Sequence, residues 1–168
     1  MQDVELLYIS YSKRIYSFMY YRVGQHDLAQ ELTQMVFEKV IRKYRTYNEK
    51  RGTQEVWLFT IARNILTDHY RSSSRNPVFS IEESEETASD APQPEENVLA
   101  AEQRTALTAA MRKLSKREHV AVSLKYGAGM RNTELAKVLG VTEKNAGVIL
   151  HRALRKLQKY LEKQAYDA

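Results

Sequence analysis

The sequence predicts an all-α protein, two small helical domains joined by a flexible acidic linker, with a helix-turn-helix in the C-terminal domain. Apolar residues recur mainly at helical spacing, and turn formers are few, with 6 glycines and 3 prolines in 168 residues. Charge is segregated: residues 1–75 carry +4, residues 76–102 carry −8 and residues 103–168 carry +9. Such asymmetry around an acidic middle suggests two modules of 1–75 and 99–168 with a linker over 76–98, and a basic rear half suggests an anionic partner.

The first helix is marked by Leu7, Tyr11, Ile15, Phe18 and Met19 on one face. A second is expected to start at Asp27, as cap, with Gln30 reaching back in a box-like arrangement, and to bury Leu28, Leu32, Val36 and Val40. Residues 44–54 lose the periodicity and contain Asn48 and Gly52, so the chain turns there. A third helix from about Thr53 buries Leu58, Ile61, Ala62 and Ile65. The stretch from Ser72 to Asn97 holds serines, all three prolines and a run of carboxylates, too little apolar surface to offset chain entropy, and reads as linker.

Four helices are expected after it. Leu107, Ala110, Met111 and Leu114 share one face, and Ser115 to Glu118 spell a capping box for a helix carrying Val120, Ala121 and Leu124, broken by Gly127 and Gly129. The last two helices form the most informative segment, Arg131 to Leu157. Leu135, Ala136 and Leu139 face one way in the first; Ala146, Ile149, Leu150, Ala153, Leu154 and Leu157 do so in the second. Gly140 permits the positive φ of a tight turn and Thr142 is a good N-cap. The exposed side then carries Glu143, Lys144, Asn145, Gly147, Val148, His151, Arg152 and Arg155, base-edge readers mixed with phosphate-binding cations. A plain helical hairpin with a solvated basic face has the same pattern.

Enzyme chemistry finds little support. The chain has no cysteine, which excludes disulfides, thiolate zinc sites and cysteine nucleophiles. His26, His69, His119 and His151 lie far apart without an i, i+4 partner, and read as surface or interface residues. There is no phosphate-cradling glycine loop or G-x-S-x-G elbow, and the densest carboxylates fall in the linker. No cofactor or metal is expected. Without a signal-peptide pattern or a long apolar run, a soluble cytoplasmic protein is expected.

In the first module Tyr44, Arg45, Tyr47, Lys50, Arg51, Trp57, Arg63, Asn64, His69, Tyr70 and Arg71 interleave aromatics, cations and amides. Unpaired bases suit such a mixture: flat rings to stack on, cations for the backbone, an amide for an exposed edge. Trp57 and Tyr70 read equally as boundary residues of the core. Asn64, seven residues beyond Trp57 on the helix surface, has no obvious packing role.

The segments DLAQELTQMVF, WLFTIARNILTDHYR and the terminal helix-turn-helix, in that order, resemble an extracytoplasmic-function sigma factor of bacterial RNA polymerase over nearly the whole chain. The resemblance implies that the first module (regions 2.1 to 2.4) binds the clamp helices of the polymerase largest subunit and melts the minus-ten element, and that the second (region 4) reads the minus-thirty-five duplex. By position it implies a core polymerase contact at Gln30, Glu31, Gln34 and Glu38. It implies minus-ten contacts from the specificity loop, Tyr44 to Gln54, which includes Asn48, with Asn64 as base reader beside Trp57, Arg63 and Arg71. Minus-thirty-five contacts would come from Arg131, Thr142, Glu143, Lys144, Asn145, Val148, His151, Arg152 and Arg155.

Two departures from the family pattern are visible. Gln30 and Glu31 stand where Glu-Asp is more usual, and Gly147, Val148 and Ile149 replace a common Lys-Ser-Arg cluster, which shifts base reading toward a thymine methyl or the helix start. The promoter elements lie roughly 50 to 70 Å apart at about 34 Å per duplex turn. A linker of 26 residues reaches roughly 90 Å extended, with an r.m.s. span near 30 Å. The expected partners are the largest and second-largest polymerase subunits, promoter DNA as single strand and duplex, and an anti-sigma factor. The alternatives are an autonomous helix-turn-helix regulator, which has no use for the aromatic and asparagine-bearing third helix, and, more remotely, an enzyme with a helical substrate domain.

Overall fold

The structure, a computed structural model, describes residues 2–75 and 98–167, and all regular structure among them is helical. Helix α1 (Gln2–Val23) turns through Gly24 and Gln25 into α2 (His26–Lys43), and α3 (Gln54–Arg75) closes a three-helix front module. The turn needs glycine, since Gly24 sits at φ 70°. The expected stripes are buried: Leu7, Ile15, Phe18 and Met19 of α1 meet Leu32, Val36 and Val40 of α2 and Leu58, Ala62 and Ile65 of α3. Tyr11 and Leu28 are half-buried at its edge. At its centre Phe18 meets Phe59 edge-on, centroids 6.0 Å apart, each ring contributing about 2 kcal/mol by burial.

Three local expectations are corrected. Helix α2 begins at His26 behind Gln25, which makes no side-chain cap bond, so Asp27 is not the cap; it lies in the first turn, where its charge opposes the helix dipole. Helix α3 runs to Arg75, so Ser72, Ser73 and Ser74 are helical; Ser73 and Ser74 return their hydroxyls to the carbonyls of His69 and Arg71. The expected linker, 76–98, otherwise lies outside the described residues, and its last position, Val98, already belongs to the next helix.

The rear module contains α4 (Val98–Met111), α5 (Lys116–Val122) extended by a π turn over Ser123–Gly127, α6 (Asn132–Leu139) and α7 (Glu143–Asp167). The capping box is present: Glu118 N–H donates to Ser115 Oγ at 3.2 Å and Ser115 N–H to Glu118 Oε2 at 2.9 Å. Lys156 of α7 donates to both Glu118 oxygens at 2.9 Å, tying α5 to α7. Burial raises the Glu118 carboxyl, but Lys156 and the Ser115 amide outweigh it and hold the pKa below the ordinary value. Gly140 ends α6 at φ 68° and Thr142 Oγ1 accepts from Asn145 N–H at 3.2 Å, as the sequence predicts. Leu107 and Leu154, expected in the core, are each 40% exposed on the outer surface of α4 and α7.

The two modules pack against each other. Helix α1 lies against the π turn and α3 against α6, and the buried apolar residues form one cluster spanning both halves. Among the described residues no helix is long and apolar enough to cross a membrane.

Candidate nucleic-acid interface

Between α2 and α3 the chain folds into two short 3-10 turns, Tyr44–Thr46 and Glu49–Arg51. Asn48 caps the second, its Oδ1 accepting from Lys50 N–H at 2.9 Å. Tyr47 donates its hydroxyl to Gly52 O at 3.2 Å, and Gly52 holds φ 152°, where a side chain is disfavoured. Thr53 starts α3, its Oγ1 accepting from Val56 N–H at 3.3 Å. The loop is therefore internally bonded, and it presents Arg45, Lys50 and Arg51 to solvent.

Trp57 is half-buried and collects the two loop tyrosines: Tyr47 at 5.2 Å and Tyr44 at 6.5 Å between ring centroids. These three predicted stacking residues thus form one aromatic cluster at the loop–helix junction. Asn64 and Arg71 are exposed farther along α3. Arg63 is not free. Its guanidinium donates to Val138 O, in the last turn of α6, where a helix carbonyl has no partner within its own helix.

Tyr70 does a different job from the one expected. Its hydroxyl donates to Arg22 O at 3.1 Å and its ring lies 4.7 Å below the Arg22 guanidinium, and burial raises its pKa. It belongs to the packing of α3 on α1. His69 packs against Tyr70 at 5.6 Å.

Gln30, Glu31, Gln34 and Glu38 are all exposed along α2, with Gln34 Nε2 donating to Glu38 Oε1 at 3.2 Å. Met35, 44% exposed, and Ile41, 63% exposed, lie among and beyond them. Sequence reasoning missed both. The available signal was their position: Met35 follows Glu31 by four residues and Ile41 follows Glu38 by three, off the buried stripe.

On the rear module Thr142, Glu143, Lys144, Asn145, Val148, His151, Arg152 and Arg155 are exposed at the start of α7, with Val148 at 39%. A Cβ at Gly147 would meet nothing within 4 Å, so the helix surface next to Val148 is open at that point. Arg131 precedes α6 and bonds Glu134 at 3.0 Å while its side chain stays 79% exposed. Asn48, Arg131 and Thr142 thus also have local structural roles. Among the described residues no three His, Asp or Glu side chains gather around a metal-sized site.

This arrangement offers two chemically distinct faces. One mixes rings, cations and a solvent-facing amide; the other is a basic helix behind a tight turn. The first suits splayed bases and the second a major groove.

The family model for Sigma-70 region 2 matches residues 7–76 and that for Sigma-70, region 4 matches residues 104–157. The ECF RNA polymerase sigma factor BldN of Streptomyces coelicolor is 33% identical over 163 residues, 95% of this chain and 60% of that protein. The ECF RNA polymerase sigma factor SigX of Bacillus subtilis is 26% identical over 165 residues, 96% of this chain and 84% of that protein. The ECF RNA polymerase sigma factor SigE of Mycolicibacterium smegmatis is 30% identical over 94% of this chain and 61% of its own length. The chain thus spans about three fifths of BldN and of SigE. Among solved structures, the sigma factor RpoE in complex with the anti-sigma factor NepR, from Bartonella quintana, has the same fold: TM-score 0.76, 20% identity, 96% of this chain and 98% of that one. CnrH, solved with the cytosolic domain of CnrY, follows with TM-score 0.66 and 18% identity over 96% of this chain and 89% of that one.

Proposed function

The chain belongs to the sigma-70 family, in its extracytoplasmic-function group, and from that membership we propose that it directs core RNA polymerase to specific promoters and initiates transcription there. Sigma factors are DNA-binding initiation factors and not enzymes in themselves. The observation that carries the reading is the order of the two faces on one chain: a region 2 module with an aromatic cluster at the loop–helix junction and an exposed Asn64 farther along α3, then a region 4 module bearing a basic helix-turn-helix.

In this reading residues 1–75 bind the polymerase clamp and the minus-ten strand, and residues 99–168 bind the minus-thirty-five duplex. Gln30, Glu31, Gln34 and Glu38 supply polar contacts to the clamp, and Met35 and Ile41 give that face apolar area to bury. The loop cations hold the displaced backbone, Tyr47 and Trp57 offer ring surface, and the Asn64 amide reads an exposed base edge. Lys144, Asn145, Val148 and His151 face base edges, and Arg152 and Arg155 face phosphates. The chain acts without a cofactor of its own, in the cytoplasm where core polymerase resides. Control by an anti-sigma factor is part of this reading, in keeping with the similarly folded sigma factor RpoE, whose structure is a complex with the anti-sigma factor NepR.

Run-off transcription with core enzyme and a candidate promoter tests the proposal. Promoter-dependent transcripts above the level of core alone are expected. Duplex binding without any gain in transcription would instead identify an autonomous helix-turn-helix regulator.

A further inference from the structure

An open cleft of about 720 Å³ lies beside the loop that joins α2 to α3, within the range of about 300 to 1,000 Å³ usual for small-molecule sites. It is lined by Tyr11 of α1, by Tyr47, Lys50 and Arg51 of the loop, by Glu55 in the first turn of α3 and by Lys137 of α6. Tyr11 and Lys137 have no part in the promoter contacts proposed above.

The walls are held in place by bonds between the modules. Arg14 Nε of α1 donates to Ala128 O, just past the π turn, at 2.7 Å, and the same guanidinium pairs with Glu55. Arg63 of α3 donates to Val138 O, the residue after Lys137. At the far end of α1, Arg22 Nη1 lies 2.8 Å from His119 Nδ1, and His119 Nε2 lies 3.0 Å from Tyr21 O. Since Arg22 can only donate and a carbonyl can only accept, His119 is neutral and carries its proton on Nε2.

The charge around the cleft suits a compact anion. Glu55 is neutralised by Arg14, so Lys50, Arg51 and Lys137 face one further carboxylate, Glu49. Among the described residues none of these three cations makes a side-chain hydrogen bond or ion pair. Unpaired like charges around one space repel, and a multiply charged anion between them replaces that repulsion with attraction. Helix α3 also starts at the edge of the cleft, where the amides of its first turn lack helical partners and its dipole is positive.

Two aromatic rings add a second requirement. Tyr47 is fixed by its bond to Gly52 O and backed by Trp57, 5.2 Å away between centroids. The Arg14 guanidinium lies 5.4 Å from the Tyr11 ring. Both rings are therefore restrained before a ligand arrives, and a restrained ring can stack a planar base of any identity at little entropic cost.

We propose that this cleft binds a free nucleoside di- or triphosphate, with its phosphates among Lys50, Arg51 and Lys137 and its base against the tyrosine rings. The proposal goes beyond the promoter reading, in which Lys50 and Arg51 meet the backbone of a strand. A nucleotide concentrates several charges on consecutive phosphates, and Lys137 supplies the third cation that such a group requires. Because Lys137 belongs to α6 and the other contacts to the front module, the ligand touches both.

Isothermal titration calorimetry of the full chain tests the site, with ATP as probe and no added divalent cation, so that the phosphates present their full charge. Inorganic triphosphate, which carries more charge but no base, is the comparison. ATP is expected to bind with a sub-millimolar Kd and about fivefold or more tightly than triphosphate, the difference being the stacked base. Lys137→Glu and Arg51→Glu are each expected to weaken ATP binding about tenfold. Lys163→Glu, which reverses an exposed cation far along α7, should leave it unchanged.

No binding at millimolar ATP, equal affinity for triphosphate, unchanged affinity in Lys137→Glu, or an equal loss in Lys163→Glu would each overturn the site. Should Lys137→Glu disturb the fold by circular dichroism, Lys137→Gln removes the same charge and should weaken ATP about threefold. Neither polymerase nor promoter enters the titration, so the nucleotide site can fail while promoter-directed transcription stands, and the reverse.

Discussion

Acidification should open the junction between the modules, and His119 sets the range. In the docked structure its pKa is lowered from 6.5 to about 4, first by burial and then by the Arg22 charge, with the bond to Tyr21 O opposing both. A histidine held neutral contributes in full above its free value and loses that contribution as pH falls from 6.5 toward 4. If separation returns His119 to water, lowering the pH from about 8 to about 5 favours the separated state by roughly 30-fold, about 2 kcal/mol. The neighbours do not mask this. Arg22 is a guanidinium and keeps its charge throughout, Tyr70 is raised above its ordinary value, and Glu118 is held below the ordinary carboxylate range and stays ionised at about pH 5. Energy transfer between dyes on α1 and α7 reads the change, with His119→Gln as control, since an amide can still accept from Arg22 and donate to Tyr21 O but does not titrate. Transfer should fall through this range in the wild-type chain and stay nearly flat in the variant. The same fall in both would refute the assignment to His119.

Other consequences follow from single residues. Glu118→Ala removes the reciprocal cap and the bond to Lys156, and should cost about 2 kcal/mol in urea unfolding monitored by helicity. Lys156→Ala, truncating a side chain that is 52% exposed, should cost under about 1 kcal/mol; equal costs would show that the cap adds nothing. Asn64→Ala should change stability by less than about 0.5 kcal/mol and leave polymerase binding intact while impairing open-complex formation, checked by footprinting and gel shift. Arg152→Ala and Arg155→Ala should each lower the salt slope of duplex binding by about one in a fluorescence titration at several salt concentrations, and unchanged slopes would remove them from the phosphate contacts.

How far the sequence could be read depended on the kind of interaction. The stripes through Ile15, Phe18, Val36, Leu58 and Ala62 were legible because burying an apolar face leaves a period. The Ser115–Glu118 box and the Gly140 turn were legible because they use fixed spacing and a demanded residue type. The start of α2 was not, since Gln25 takes the cap position with no side-chain bond and leaves no signature. Leu107 and Leu154 fit a helical stripe equally well when exposed, because period alone does not say how wide the covered face is. On the candidate site, exposure at Asn64, Lys144 and Arg152 followed from helical phase, while the commitment of Arg63 to α6 did not. An arginine reaching a carbonyl 75 residues away follows no periodicity. Nor did the sequence distinguish Gly127, which looked like a breaker but accommodates α1.

Strand opening on a linear promoter, reported by a fluorescent adenine analogue in the minus-ten element, tests the central claim most directly. With core polymerase and the wild-type chain the signal should rise, and it should fall sharply when the minus-thirty-five sequence is scrambled or Asn64 is replaced by alanine. A rise of equal size with core polymerase alone, or one indifferent to both changes, would contradict a division of labour between a strand-capturing front module and a duplex-reading rear one.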